Sequence, residues 1–304
     1  MVVAGTFADL SGRIAGIFGS KPRPTRIVIF GIHSGDWMLA LRPDAPVWRR
    51  VPGIIEVAVV PDDDAASIPP PKQGLRTILL PLMESHLVAC PRHQHHGLLP
   101  DLQAVKVLDH KAAFSGYTQA QGLTALCPVA YPTADDATFP CMLKRCDLNG
   151  GAGIEVADSR EQLDALLAMD PWRGQEVVLQ SYEGARQQIV THMVCLDGRI
   201  VSHASFMHIL PEGERVRRWS TQVQSVPYHP SRHVLRTLQR FLAPLRFSGP
   251  CNANYVVRGD QSICVFEFNP RLGGSLMVPQ HVETLAMILR AVIDHARPLR
   301  ATSR

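Results

Sequence analysis

The chain has 304 residues, of which 46% are hydrophobic and 19% charged. That length allows one large domain or two to three smaller ones with a sizeable buried core, and the composition is globular rather than disordered. A net charge of +4 suits a small anionic ligand but is too weak and scattered to imply nucleic acid, and no apolar run approaches the roughly 20 residues of a membrane helix.

The opening stretch, MVVAGTFADLSGRIAGIF, carries Asp9 and no basic leader, so no secretory signal is expected. Basic, Pro-rich KPRPTR (Lys21 to Arg26) leads into RIVIFGI (Arg26 to Ile32), which has the pattern of a buried strand. IIEVAVV (Ile54 to Val60) and TILLPL (Thr77 to Leu82) repeat it, and DDDAASIPPPKQG between them is a loop by composition. The N-terminal third therefore reads as a small α/β unit with poorly announced helices. RHQHHG (Arg92 to Gly97) offers His93, His95 and His96. Zinc would need a fourth ligand in an ordered frame, and the segment reads as a solvated loop.

From about Pro100 the texture changes. VLDHKAAFSGYTQAQGL (Val107 to Leu123) reads as a strand end, a turn and then a helix that Lys111 precedes. FPCMLKRC (Phe139 to Cys146) reads as a strand carrying Lys144, and it runs into glycine-rich DLNGGAGIEV. Ser159, with Gln162 three residues on, marks a capping box and a helix start. EVVLQSY (Glu176 to Tyr182) is a strand, and Gln188 to Phe206 is a hairpin folded at Asp197-Gly198. Ser231 caps an amphipathic helix, and a last helix carries Val282, Leu285, Ile288, Leu289, Val292 and Ile293 at helical spacing. The seven cysteines form no CxxC pair and several lie in apolar runs, which predicts reduced core thiols and a cytoplasmic protein.

The hairpin NANYVVRGDQSICVFEFNPR (Asn252 to Arg271) concentrates the candidate chemistry. Alternation puts Glu267 and Asn269 on one strand face and Phe266 and Phe268 on the other. A two-residue loop at Gly259-Asp260 pairs positions whose numbers have an odd sum, which brings Asn252 and Asn254 to the face of Glu267. One carboxylate among amide oxygens suits Mg²⁺, and Arg271 beyond them suits a phosphate or carboxylate in a two-pronged contact. Taken alone, the pattern is equally a satisfied polar strand end with a surface arginine. NGGAG after Lys144 fits a loop whose backbone N–H groups face phosphate, or an ordinary glycine-rich turn. No GxxxxGK[ST], GxGxxG or GxSxG occurs, so a P-loop, a dinucleotide fingerprint and a nucleophile elbow are excluded.

The order of these parts from about Val107 to Ser275 resembles the ATP-grasp superfamily, which includes biotin carboxylase, carbamoyl phosphate synthetase and many carboxylate–amine ligases. The resemblance implies an α+β fold. Residues 1–104 would form a small N-terminal α/β domain, and residues 105–304 the ATP-grasp domain with a lid subdomain at about 139–206. It implies ATP with Mg²⁺ or Mn²⁺, with Lys111 and Lys144 on the phosphates and Gly150, Gly151 and Gly153 in the lid loop. Gln180, Tyr182 and Glu183 would belong to the adenine-receiving segment, Asn254, Glu267 and Asn269 would be metal ligands, and Arg271 would lie at the transferred phosphoryl group. Activity would be ADP-forming ligation of a small-molecule carboxylate to an amine through an acyl phosphate, with no nucleic-acid or membrane partner. Two departures point to the alternative, a non-catalytic ATP-binding regulatory module. ARQQIV after LQSYEG lacks an acidic residue for ribose, and Asn254 stands where a carboxylate or Gln is common. Basic ERVRRWS would place Arg217 or Arg218 near the acceptor pocket, or else is a solvated loop. The sequence leaves the acceptor and the oligomeric state open.

Overall fold

Apolar runs separated by Pro- and Gly-rich turns build three β-sheets in the computed structural model, which describes residues 23–148, 151–218 and 220–300. The first sheet uses β1 (Thr25–Phe30), β2 (Ile54–Val60), β3 (Arg76–Pro81) and β4 (His96–Gly97), in the order β4-β3-β1-β2. These strands are mutually parallel, and the central ones are almost continuously buried, as a sheet covered on both faces requires. Helices α1 (Gly35–Leu41) and α2 (Glu84–Ala89) belong to this unit.

The segment expected to hold a strand end at Val107 is helical. α3 (Leu102–Asp109) turns at His110, whose backbone is extended, into α4 (Lys111–Ala120). Asp101 caps α3 by accepting from the Gln103 N–H at 2.7 Å, and Ala104, Val105 and Leu108 are buried at helical spacing. The short run Val107-Leu108 is compatible with either period, and the cap decides it.

The second sheet is antiparallel: β5 (Ala130–Tyr131), β6 (Cys141–Arg145), β7 (Ile154–Ala157) and β8 (Val177–Ser181), in the order β5-β8-β6-β7. Helix α5 (Arg160–Ala168) packs Leu163 onto Cys141, Leu143, Ala157 and Leu179. Ser159 Oγ accepts from the Gln162 N–H as expected, but Gln162 Oε1 takes the Asp158 N–H, one residue before the cap.

The third sheet has the order β11-β10-β9-β12-β13, all antiparallel. Its strands are β9 (Gln187–Leu196), β10 (Arg199–Ile209), β11 (Gln224–Tyr228), β12 (Gly249–Val257) and β13 (Ile263–Asn269). Asp197 and Gly198, both with positive φ, make the two-residue turn between β9 and β10. β9 bonds to β12, and β10 to β9 and β11, so both strands belong to this sheet rather than to the four-stranded one. One face of the third sheet, with Ile189, Met193, Tyr255 and Phe268, packs on α3, α4 and α6 (Arg232–Leu242). Ser231 Oγ accepts the Val234 N–H at the start of α6. The other face places Val190, Val194 and Phe206 in one core with Ile27, Trp37, Leu80 and the apolar stripe of α7 (Val282–His295). After α7 the chain returns to the first sheet, where β14 (Arg297–Pro298) pairs with β4.

Candidate functional site

The candidate site residues of the third sheet gather on its second face. The registers place His192, His208, Asn252, Asn254, Glu267 and Asn269 together there, beside Val190 and Phe206. Asn254 does oppose Glu267 and Asn252 opposes Asn269, but the route differs from the two-residue loop expected. Arg258 and Ser262 close a three-residue loop in which Gln261 has φ +65°. Such a loop pairs positions with an even sum, as seen from Val257↔Ile263 to Tyr255↔Val265. A β-bulge at Phe266 then restores the odd sum before Glu267. The bulge also overturns the expected facing of Phe266, whose ring turns to the site and lies 5.6 Å below Lys144 Nζ. Phe268 alone enters the core.

Lys144 projects from β6 and is 7% exposed. Burial holds its pKa below the ordinary lysine value, while the neighbouring Glu267 carboxylate opposes that shift and Lys111 adds to it. Lys111, at the start of α4, donates to the Leu148 carbonyl at 2.6 Å, at the mouth of the glycine loop. Gly150 lies outside the described residues. Gly151 and Gly153 have φ of +80° and +61°, and a Cβ on Gly151 would stand 2.4 Å from the Arg217 carbonyl oxygen. Only glycine fits there, so the loop and the ERVRRWS segment touch through backbone.

Gln180 on β8 is 8% exposed, and its Oε1 has no hydrogen-bond partner among the described residues. Tyr182 follows, with its N–H directed at the Pro140 carbonyl, its hydroxyl at the Arg215 carbonyl, and the Arg215 guanidinium over its ring. The Glu183 carboxylate is held by Arg258, whose Nε and one terminal nitrogen donate to its two oxygens at 3.1 and 2.9 Å. Arg258 also donates to the Ala125 carbonyl, so this pair braces the chain between β8 and the sheet.

Around Glu267, Oε1 accepts from Asn254 Nδ2 at 2.9 Å and from Asn269 Nδ2 at 3.4 Å. Asn269 also donates to Asn252 Oδ1, and Asn252 to the Arg271 carbonyl. Turning either amide about its last bond presents oxygen in place of nitrogen. This donor set, one carboxylate with amide oxygens, fits the hard-oxygen preference of Mg²⁺. Arg271 itself points away, into the first-sheet unit. Its Nε lies 3.0 Å from the Glu84 carboxylate of α2, one terminal nitrogen donates to the Leu272 carbonyl, and the guanidinium sits over Trp37. Both side chains of the pair are about 10% exposed (12% and 8%).

The two arginines of ERVRRWS separate. Arg218 is bound to the Ile154 carbonyl and the Glu155 carboxylate. Arg217 makes no hydrogen bond or ion pair among the described residues; burial lowers its pKa, and Glu267 is the charge that opposes this. Burial also lowers the His192 and His208 pKa values to about 3, with Arg217 among the nearby charges. Both rings are therefore neutral. The expected solvated loop at Arg92 to Gly97 is instead anchored: His95 is 5% exposed and its ring nitrogens face the His93 and Pro69 carbonyls. A separate group, His110, Cys146 and Glu176, has ligand atoms within 4.8 Å of one another. His110 Nδ1 accepts the Ala113 N–H, and its Nε2 lies 3.6 Å from Glu176 Oε2.

No protein-family model matches the chain, and no curated protein matches it by sequence. Solved structures do match in fold. D-alanine–D-alanine ligase from Bacillus anthracis, complexed with ATP, superposes with a TM-score of 0.59 at 13% identity, covering 89% of this chain and 96% of that one. N5-carboxyaminoimidazole synthase from Aspergillus clavatus, in complex with ADP and its ribonucleotide, gives 0.59 at 14%, covering 91% and 79%. L-amino acid ligase from Bacillus licheniformis gives 0.57 at 15%, covering 92% and 76%. The chain therefore shares the α+β fold of these ligases and synthases.

Proposed function

We propose that this protein is an ATP-dependent, ADP-forming ligase that couples a small carboxylic acid to an amine. The observation that carries the reading is the buried Lys144 ammonium, set between a positive-φ glycine loop and the Glu267 carboxylate with its ring of amides. Such an arrangement provides for a polyanion and a divalent cation side by side. Lys144, Lys111 and the loop N–H groups would hold the triphosphate, and the orphaned Gln180 Oε1 would accept from the adenine amine. Glu267, Asn254 and Asn269 would hold Mg²⁺, which neutralises phosphate charge when bound.

In the reaction, a carboxylate oxygen of the acid attacks the γ-phosphorus and the bond to ADP breaks. The amine nitrogen then attacks the acyl carbon, the C–O bond to phosphate breaks, and the amine loses a proton. The chain's own contribution is positioning and charge balance rather than covalent chemistry. Calorimetric titration with MgATP tests the nucleotide part. Lys144→Ala should weaken binding about ten- to hundred-fold, the value of a lost charge-assisted contact of roughly 1.5–3 kcal/mol. Unchanged affinity would remove Lys144 from the site.

A second reading, an ATP-binding regulatory module without turnover, is favoured by the Arg271–Glu84 pair and by Asn254 in place of a second carboxylate. ADP release with pooled amino acids and small acids separates the two. Binding without release across the pool would favour the module.

A further inference from the structure

Three side chains able to bind a metal converge where the four-stranded sheet meets the α3–α4 turn. His110 is the turn residue between the two helices, Cys146 follows β6, and Glu176 immediately precedes β8. The Cys146 N–H donates to the Glu176 carbonyl at 3.0 Å, which sets those two residues side by side, and His110 reaches them from the helical side. An imidazole nitrogen, a sulfur and a carboxylate oxygen thus lie within 4.8 Å of one another. Around a tetrahedral ion with bonds of about 2.0–2.3 Å, neighbouring ligand atoms stand about 3.5 Å apart. His110 Nε2 and Glu176 Oε2 are 3.6 Å apart, too far for a hydrogen bond yet at the ligand spacing. The nearby cations are engaged elsewhere: Arg145 holds Asp147, and Lys111 donates to the Leu148 carbonyl.

The donor set selects the ion. A thiolate and an imidazole favour borderline-soft dications such as Zn²⁺ and Co²⁺, whereas Mg²⁺ prefers oxygen ligands alone. We propose that His110, Cys146 and Glu176 bind one such transition-metal ion, at a site separate from the Mg²⁺ ligands around Glu267. Three protein ligands leave a fourth tetrahedral position, and the exposed His110 and Glu176 side chains leave it open to water. Burial and the Glu176 charge keep the Cys146 thiol protonated, so its S–H bond breaks and the proton leaves to solvent as the sulfur–metal bond forms. When Nε2 takes the ion, the imidazole proton resides on Nδ1 and the contact from the Ala113 N–H is given up. At 3.4 Å that contact is long for a hydrogen bond. The ion ties β6, which carries Lys144, to α4, which begins at Lys111. It thereby fixes the two proposed phosphate lysines relative to each other. The site stands on the cluster itself and does not rest on the nucleotide reading.

The test is Co²⁺ titration of the untagged chain, made metal-free and kept reduced with a phosphine rather than a thiol. A single equivalent is expected to bind, with thiolate-to-cobalt charge-transfer absorption in the near ultraviolet and tetrahedral bands in the visible. Zn²⁺ should displace it, and excess Mg²⁺ should not. Cys146→Ser should abolish the charge-transfer absorption, while Cys90→Ala, at a buried thiol of the first-sheet unit, should keep it. Loss of an outer partner of a metal ligand costs about 10–100-fold in affinity, so His110→Asn and Glu176→Ala, which remove ligands themselves, should each cost about 100-fold or more. Asparagine can still cap α4, so a normal melting curve without the ion separates lost ligation from lost folding. Zn²⁺ should raise the melting temperature of wild type and leave that of Cys146→Ser in place. Failure of wild type to bind a single equivalent overturns the site. So does charge-transfer absorption that survives in Cys146→Ser, or wild-type affinity in both His110→Asn and Glu176→Ala.

Discussion

Glu267 and Arg271 lie four positions apart in the sequence, yet they meet different surroundings. Glu267 is surrounded by amide donors at 2.9 and 3.4 Å, and a glutamine there can still accept from Asn254. Glu267→Gln should therefore fold normally. It loses the one carboxylate of the proposed metal set, so turnover should drop by roughly a hundred-fold or more, about 3 kcal/mol of lost charge stabilisation. Near-wild-type turnover with a normal melting curve would place the metal elsewhere. Arg271 is a structural partner as well as a candidate for the phosphoryl group. Removing it in Arg271→Ala strands Glu84, which is 8% exposed, and should destabilise by about 3–5 kcal/mol. Urea unfolding of Arg271→Ala, Glu84→Gln and the double variant would show a large part of that loss recovered in the double. Strict additivity would mean that the ion pair contributes nothing. The alternation of Glu267 and Asn269 is readable from sequence because a strand's period is two. The partner of Arg271 is not, because Glu84 stands 187 residues earlier and nothing local announces it.

Strands with long apolar runs are recognisable from the chain alone, as β1, β2, β6 and β8 show, and so are capped helices such as α5 and α6. Elements without those signals are not. α1 has no side-chain cap, β4, β5 and β14 are two residues each, and the bulge at Phe266 leaves no mark in composition. Asn252 and Asn254 share the face of Glu267, as an odd-sum pairing implies, because two unforeseen features, a longer loop and a bulge, cancel. The glycine loop is a different case, since its need for glycine follows from what lies against it. Gly151→Ala demands a Cβ 2.4 Å from the Arg217 carbonyl and an alanine at φ +80°, which displaces the loop from the 215–218 segment. The glycine loop is part of the proposed phosphate site, so MgATP affinity should fall in this variant. Gly198→Ala is the control: its Cβ would meet Ala243 Cα at 2.5 Å in the β9–β10 turn, away from the site. It should lower the melting temperature and leave MgATP affinity alone. Unchanged MgATP affinity in Gly151→Ala would place the triphosphate away from this loop.

Across the whole molecule, the first sheet, α7 and the second face of the third sheet share one core, so groups buried at that junction titrate with global unfolding. His192 is 1% exposed and His208 2%, and burial, with Arg217 and His281 nearby, lowers both pKa values from 6.5 to about 3. His192 also feels Arg271, and its Nε2 faces Ser275 Oγ at 2.7 Å. Between pH 3 and 6.5 the unfolded chain protonates these imidazoles while the folded chain does not. The unfolded state therefore binds more protons, and stability rises with pH through that window and levels off above about 6.5. Each group contributes at most about 1.4 kcal/mol per pH unit in the steep part of the range. Carboxylates with depressed values, such as Asp158 held by Arg215 and Asp147 held by Arg145, add their own loss only as pH falls below about 4. The interval from pH 6.5 to 5 thus belongs to histidines, including His33, which burial lowers to about 4. Urea unfolding at pH 7.5, 6.5, 5.8 and 5.0 should show little change over the first step and a steepening loss thereafter. His208→Leu should shed about one proton's worth of that slope while remaining at least as stable at pH 7.5. An unchanged slope in the variant would mean that His208 is protonated in the folded chain, and its buried neutral state would be wrong.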